Sequence, residues 1–325
     1  MKAVIANGYG SSAVLALQDV STPLPQADEV RIKLHASPVS QADTMMRQGT
    51  PRFARLFLGL LRPKHPIPGT GLAGVVDCIG DKVTHLNVGD EIYGESADSF
   101  GCHAQYIILP SDALIRKKPK SIAFEQASTL CDGPLTAYNF LVHMANIQPQ
   151  QTVLINGASG SIGHAAVQIA KAKGANVIAV CSQKNHEWVT KLGADQVIDY
   201  HQEDFTQNKS AYDVIFDTVG KRSFKCCKHA LTSTGMYLSP VLSLSLLGHM
   251  LLSVIWGNKK AKFSATGLTD KGLLNEWLIQ LEALIEKKQL SPFVEKIYPL
   301  DAIHQAHDHV DTQHKKGSVV INLAS

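Results

Sequence analysis

The chain has 325 residues, of which 45% are hydrophobic and 18% charged, with a net charge of +3. That length suits two domains, the apolar content excludes a disordered chain, and the near balance of charge excludes an electrostatic nucleic-acid binder. Six cysteines (Cys78, Cys102, Cys131, Cys181, Cys226 and Cys227) form no Cys-x-x-Cys pair, which rules out a four-cysteine zinc lobe and points to a reducing compartment.

The first six residues are too few for a secretory core before Asn7-Gly8 and lack an arginine-rich transit composition, so the expectation is a cytoplasmic protein. Val30, Ile32, Leu34 and Ala36 alternate through residues 29–36, the signature of a half-buried strand. Residues 71–80 and 88–94 are glycine-bounded strands, and residues 103–109 alternate again before Pro110. Pro51, Pro63, Pro66 and Pro68 mark a long connection between two of these strands. The basic clusters at 116–120 and 259–262 are short and far apart, as solvated loops are.

Beyond Lys120 the pattern changes. Residues 152–156 are a short apolar run, a glycine loop follows, and residues 162–173 have helical periodicity closed by Gly174. Apolar runs at 176–181, 213–217 and 236–238 alternate with helical stretches, which implies a parallel sheet wound on both faces. Residues 241–256 are uncharged and mostly apolar but short for a bilayer span of about 20 residues, so we expect a buried helix, a pocket wall or a subunit contact and no membrane span. An amphipathic helix at 273–287 and a closing strand at 317–323 complete the chain.

The glycine loop is Asn156-Gly157-Ala158-Ser159-Gly160-Ser161-Ile162-Gly163, set between a strand and a helix. That is the context a dinucleotide fingerprint requires. Ala158 stands at the tight turn, Gly160 lets the backbone approach a pyrophosphate, and Gly163 permits close helix–strand packing. The amides that open the following helix then face the phosphates. Ser159 is no nucleophile elbow, because Ser161 occupies the second glycine's place. An acid at the end of the second strand would hold the ribose of NAD. The chain there reads Ser182-Gln183-Lys184, with no carboxylate before Glu187. Ser182 is either a phosphate donor, with Lys184 supplying charge, or the N-cap of the next helix.

Asp132-Gly133-Pro134-Leu135-Thr136-Ala137-Tyr138, the glycine loop, residues 191–200 and 213–220, Pro68-Gly69, Ala73-Gly74 and Val88-Gly89-Asp90 carry a wider likeness. On them the whole chain resembles the zinc-independent medium-chain dehydrogenase/reductases of the quinone oxidoreductase type, with the reticulon-4-interacting-protein-like subgroup as the nearest likeness. The resemblance implies an α/β protein with a doubly wound Rossmann sheet at 123–285 and a β-rich GroES-like domain at 1–122, completed by 286–325. It also implies a homodimer. NADPH would be touched by Thr136, Ala158, Ser159, Gly160, Ser161, Ile162, Gly163, Ser182, Lys184 and Tyr200, with Val219 and Gly220 beside the nicotinamide.

The substrate class implied is an apolar quinone or α,β-unsaturated carbonyl, reduced by hydride without zinc. Ser40, Thr70 and Asp132 stand where zinc-dependent relatives carry Cys, His and Cys, which leaves no metal site. Ser40 and Thr136 are the candidate catalytic hydroxyls. Ser40 and Met45 replace an asparagine and an aromatic common in quinone reductases, so no tyrosine is placed to protonate the product, and a second reading stands: an NADPH-binding sensor or assembly protein. His304, His307 and His309 sit in a polar stretch read as a solvated surface helix, and Cys226-Cys227 in a surface or packing helix.

Overall fold

The computed structural model describes residues 1–97, 99–255 and 258–324. The chain forms two compact units, Met1–Asp132 with Pro292–Ser325, and Gly133–Ser291. The divisions expected from the sequence, 122/123 and 285/286, lie a little before these. Helix Phe124–Ala127, placed beyond the expected division, packs on strands Glu29–Val39 and Gly71–Ile79 of the first unit.

The first unit is a mainly antiparallel sheet. Its strands run Val294–Pro299, Ser318–Asn322, Glu29–Val39, Gly71–Ile79, Glu91–Glu95 and Leu114–Lys117, and Tyr106–Pro110 pairs with Glu29–Val39. Val30, Ile32, Leu34 and Ala36 are all fully buried, as their alternation requires. Val30, Ile32 and Leu34 meet Val76, Ile92, Leu109, Val319 and Ile321 in one core. Helix Ile303–Asp311 closes that core with Ile303, Ala306 and Val310. This corrects the surface-helix expectation: His307 is fully buried beside the His103 ring, 5.7 Å between centroids. Burial, with His103 and Arg47 nearby, pushes the His307 pKa down to about 2, so the ring stays neutral. Only Gln305 and Asp308 of that helix's middle face solvent.

The second unit is a six-stranded parallel sheet in the order Gln196–Asp199, Asn176–Cys181, Thr152–Asn156, Tyr212–Asp217, Leu231–Leu238, Lys260–Lys262. Numbered along the chain, that is 3-2-1-4-5-6, the doubly wound Rossmann order. The first strand is buried from Val153 to Asn156, a run suited to a sheet covered on both faces. Helix Ser161–Ala172 covers it, burying seven consecutive side chains from His164 to Ala170. The strand order reverses between Thr152–Asn156 and Tyr212–Asp217, and ligands bind outside the carboxyl ends of strands at such a point.

Helix Leu244–Ile255 falls in the apolar stretch, with Leu246 buried and Val241, Leu242 and Leu247 about 40% exposed. Trp256, the end of that stretch, lies outside the described residues. No helix among the described residues is long and apolar enough to cross a membrane.

Candidate cofactor site

Two loops leave the sheet where its order reverses. One follows Asn156 and the other follows Asp217. Gly157 has φ +84°, and a Cβ there would lie 2.5 Å from Val219 and 2.6 Å from Thr218, so the two loops touch where only glycine fits. Thr218 Oγ1 ties them together by donating to the Asn156 carbonyl at 2.8 Å.

The glycine loop has the geometry its spacing predicts. A Cβ at Gly163 would lie 2.1 Å from the Gly157 carbonyl, so the helix and the turn pack directly. Gly160 differs: its nearest protein neighbour would be the same carbonyl at 3.5 Å, which leaves its outer face open. Gly160 also sits at the N-cap of helix Ser161–Ala172, whose first turn carries no acid. Open backbone at the positive end of a helix suits a pyrophosphate, so these residues fit a dinucleotide. Ala158 and Gly163 are buried, while Ser159, Gly160, Ser161 and Ile162 are half-buried on the rim.

Thr136 rides helix Gly133–Tyr138, which starts hard against this loop; a Cβ at Gly133 would lie 2.1 Å from the Ser161 carbonyl. Its side chain makes no hydrogen bond among the described residues.

The second strand ends at Cys181 and the third at Asp199, paired in parallel register. Ser182 and Tyr200 therefore emerge side by side, and the Tyr200 amide donates to the Cys181 carbonyl. Ser182 occupies an N-cap position, yet its side chain makes no capping bond; among the described residues it accepts from Asn185 Nδ2 at 3.5 Å. Lys184 is exposed, and Tyr200 is 44% exposed beside the His201 ring. A hydroxyl and a phenol thus stand on adjacent strand ends, with an exposed lysine two residues beyond Ser182.

Asp217 is the residue the sequence did not nominate. Fully buried, it accepts from Asn156 Nδ2 at 2.8 Å, from the amides of Val219, Gly220 and Arg222 at 3.2, 3.1 and 3.0 Å, and from the Tyr237 hydroxyl at 3.0 Å. Burial and the adjoining Asp217 carboxylate raise the Tyr237 phenol's pKa, so it remains a donor. One carboxylate thus shapes the turn carrying Val219 and Gly220. A Cβ at Gly220 would meet Val241 at 2.5 Å, so the start of the apolar stretch abuts this turn. Val241, Ser243, Ser245 and Leu246 wall a small cavity there of about 20 Å³.

In the first unit, Ser40 caps helix Gln41–Gln48. Its hydroxyl accepts from the Asp43 amide at 3.0 Å and donates to the Asp43 carboxylate at 2.7 Å. Among the described residues no group of three or more His, Cys, Asp or Glu side chains could hold a metal ion. Burial raises the pKa of the Cys102 and Cys131 thiols well above the usual range.

Comparison with known proteins agrees with this geometry. The alcohol dehydrogenase GroES-like domain matches residues 26–120, and the zinc-binding dehydrogenase domain matches residues 192–321. The quinone oxidoreductase of Mus musculus is 30% identical, covering 99% of this chain and 98% of that protein. The mitochondrial NAD(P)H oxidoreductase RTN4IP1 of Bos taurus is 29% identical over 99% of this chain and 89% of its own length. The solved Escherichia coli quinone oxidoreductase, in complex with NADPH, superposes with a TM-score of 0.85 at 25% identity, covering 99% of this chain and all of that one. A GroES-like unit, a Rossmann unit with a glycine loop at its switch point, and this likeness along the full length make the chain a member of the medium-chain dehydrogenase/reductases of the quinone oxidoreductase type.

Proposed function

We propose that the protein is an NADPH-dependent reductase that delivers hydride to a quinone or to the β-carbon of an α,β-unsaturated carbonyl, without zinc. The observation that carries this reading is the pairing of Ser182 with Tyr200 at the ends of adjacent strands, Lys184 close by in sequence and no acid among them. A 2′-phosphate needs such donors, whereas a 2′-hydroxyl is held by a carboxylate. When bound, the nicotinamide supplies the hydride.

The chain's own residues supply position and charge. The amides around Gly160 orient the pyrophosphate, and Asp217 fixes the turn that carries Val219 and Gly220. A developing enolate oxygen needs hydrogen-bond donors, and Thr136 and Ser40 are the proposed ones. Thr136 is the readier of the two, since Ser40 must first turn its proton away from Asp43. Water supplies the final proton. Conjugate reduction suits such a site because its charge spreads to an oxygen that hydrogen bonds can meet, whereas alcohol oxidation needs a Lewis acid to lower the hydroxyl pKa. The sensor or assembly reading draws no support from the relatives, which are named as oxidoreductases.

NADPH is expected to bind at least about tenfold more tightly than NADH, a difference of roughly 1.4 kcal/mol. Lys184→Ala combined with Tyr200→Phe should narrow the gap, and equal dissociation constants in the unaltered protein would refute the assignment. Elemental analysis after exchange into metal-free buffer should find no stoichiometric zinc, with turnover insensitive to chelators; near one zinc per chain would overturn the zinc-free mechanism.

A further inference from the structure

Residues 48–65 cross the surface of the first unit through a 3-10 turn, Arg52–Ala54, and a helical turn, Arg55–Leu58. A surface helix normally turns its apolar stripe toward the core. This segment does the reverse. Phe53, Leu56 and Phe57 on these turns, and Leu60 and Leu61 just beyond Gly59, where the helical turn ends, are 59%, 71%, 78%, 67% and 91% exposed. Five large apolar side chains this close together form the kind of patch that marks an interaction surface.

The outward presentation is pinned from beneath. Arg55 lies over the Tyr9 ring at 4.4 Å and donates to the carbonyls of Gly49 and Gln48 at 3.0 and 3.1 Å. The Tyr9 hydroxyl donates to the Gly59 carbonyl at 2.6 Å, and the Lys64 amide to the Leu58 carbonyl at 2.7 Å. Leu58 and Pro63 face inward onto a cavity of about 40 Å³ shared with Met46 and Phe100. The polar groups anchor the segment while the apolar ones are left in water.

Charge selects the occupant. The segment carries Arg52, Arg55, Arg62 and Lys64 and no Asp or Glu. Arg52, Arg62 and Lys64 are exposed and form no ion pair among the described residues. We propose that this strap docks the protein on an anionic lipid bilayer, its apolar side chains entering the interface while the cations meet the headgroups. Apolar residues flanked by cations are what interfacial binding uses. A second copy is a poorer occupant: an isologous contact would set the same cations against each other. Such docking is peripheral and weakened by salt.

Sedimentation of the full chain with phosphatidylcholine vesicles, with and without phosphatidylglycerol, tests this. The protein should sediment with the phosphatidylglycerol vesicles alone, and less so in high salt. A variant carrying Phe53→Ser, Leu56→Ser, Phe57→Ser and Leu61→Ser, and another carrying Arg52→Glu, Arg62→Glu and Lys64→Glu, should each need at least about tenfold more lipid for half-binding. Their thermal midpoints should match that of the unaltered protein, since every replaced side chain is exposed. Three results would overturn the proposal: no sedimentation with anionic vesicles, equal sedimentation of the variants, or a dimer that the serine variant dissolves in light scattering while vesicles bind neither form.

Discussion

Asp217→Ala should destabilise the second unit by about 3 kcal/mol and weaken NADPH binding with it. The change strips the acceptor from the Asn156 amide and three backbone amides at once, and leaves the Tyr237 hydroxyl only the Arg222 carbonyl at 2.7 Å. Asn156 is buried while the Val219, Gly220 and Arg222 amides are only partly so, and a buried donor left unmet costs about 1–3 kcal/mol before relaxation lets water in. For a unit of this size the thermal midpoint should fall by roughly 6–12 °C. Asp217→Asn should recover part of the loss. Its oxygen can keep the Asn156, Val219 and Gly220 bonds, but its NH₂ would face the Arg222 amide. A midpoint unchanged by Asp217→Ala would mean the turn holds its shape without this carboxylate.

Gly160→Val should leave the fold intact and raise the NADPH dissociation constant at least about a hundredfold, roughly 2.7 kcal/mol. The backbone at Gly160 is extended, with φ −80°, and the added Cβ would meet nothing nearer than 3.5 Å in the protein. The side chain therefore costs little until a pyrophosphate must approach. Gly163→Ala separates this effect from folding, because its Cβ would strike the Gly157 carbonyl at 2.1 Å. That variant should lose stability whether or not cofactor is added. Equal NADPH affinity in Gly160→Val and the unaltered chain would remove the glycine loop from the cofactor site.

Much of this fold is legible wherever local pattern and tertiary burial agree. Thr152–Asn156 and Asn176–Cys181 are strands with the bounds their apolar runs suggest, because both lie in the sheet interior. Strand Leu231–Leu238 shows only its last three residues in the sequence. Its Thr232-Ser233-Thr234 stretch is polar, and the pairing with Tyr212–Asp217 is irregular at that end. The strand expected at 88–94 starts only at Glu91, since Gly89 has φ +93° and the Asn87 amide bonds the Asp90 carboxylate in a turn. Helix Ile303–Asp311 reads as polar because five of its nine residues are His or Asp, in a sequence of Ile-His-Gln-Ala-His-Asp-His-Val-Asp. Yet its buried face includes His307, an orientation set by the sheet beneath it.

The glycine loop was legible for the same reason as the strands: its turn geometry is set by a short, continuous run. Asp217 was not. Its partners span residues 156 to 237, and only the parallel register of three strands brings them to one carboxylate. The sole local sign was an acid closing an apolar strand just ahead of Thr218-Val219-Gly220. The outward-facing strap was hidden likewise, since a helical apolar spacing between prolines reads as core until exposure is known.

Isotope transfer tests the central claim most directly. With NADPH deuterated at the nicotinamide C4 and a cyclic enone as acceptor, deuterium should appear on the β-carbon of the saturated ketone, with the α-carbon proton drawn from solvent. Deuterium on the carbonyl carbon, or faster NADP-linked oxidation of 2-propanol than reduction of any enone or quinone tested, would contradict the account.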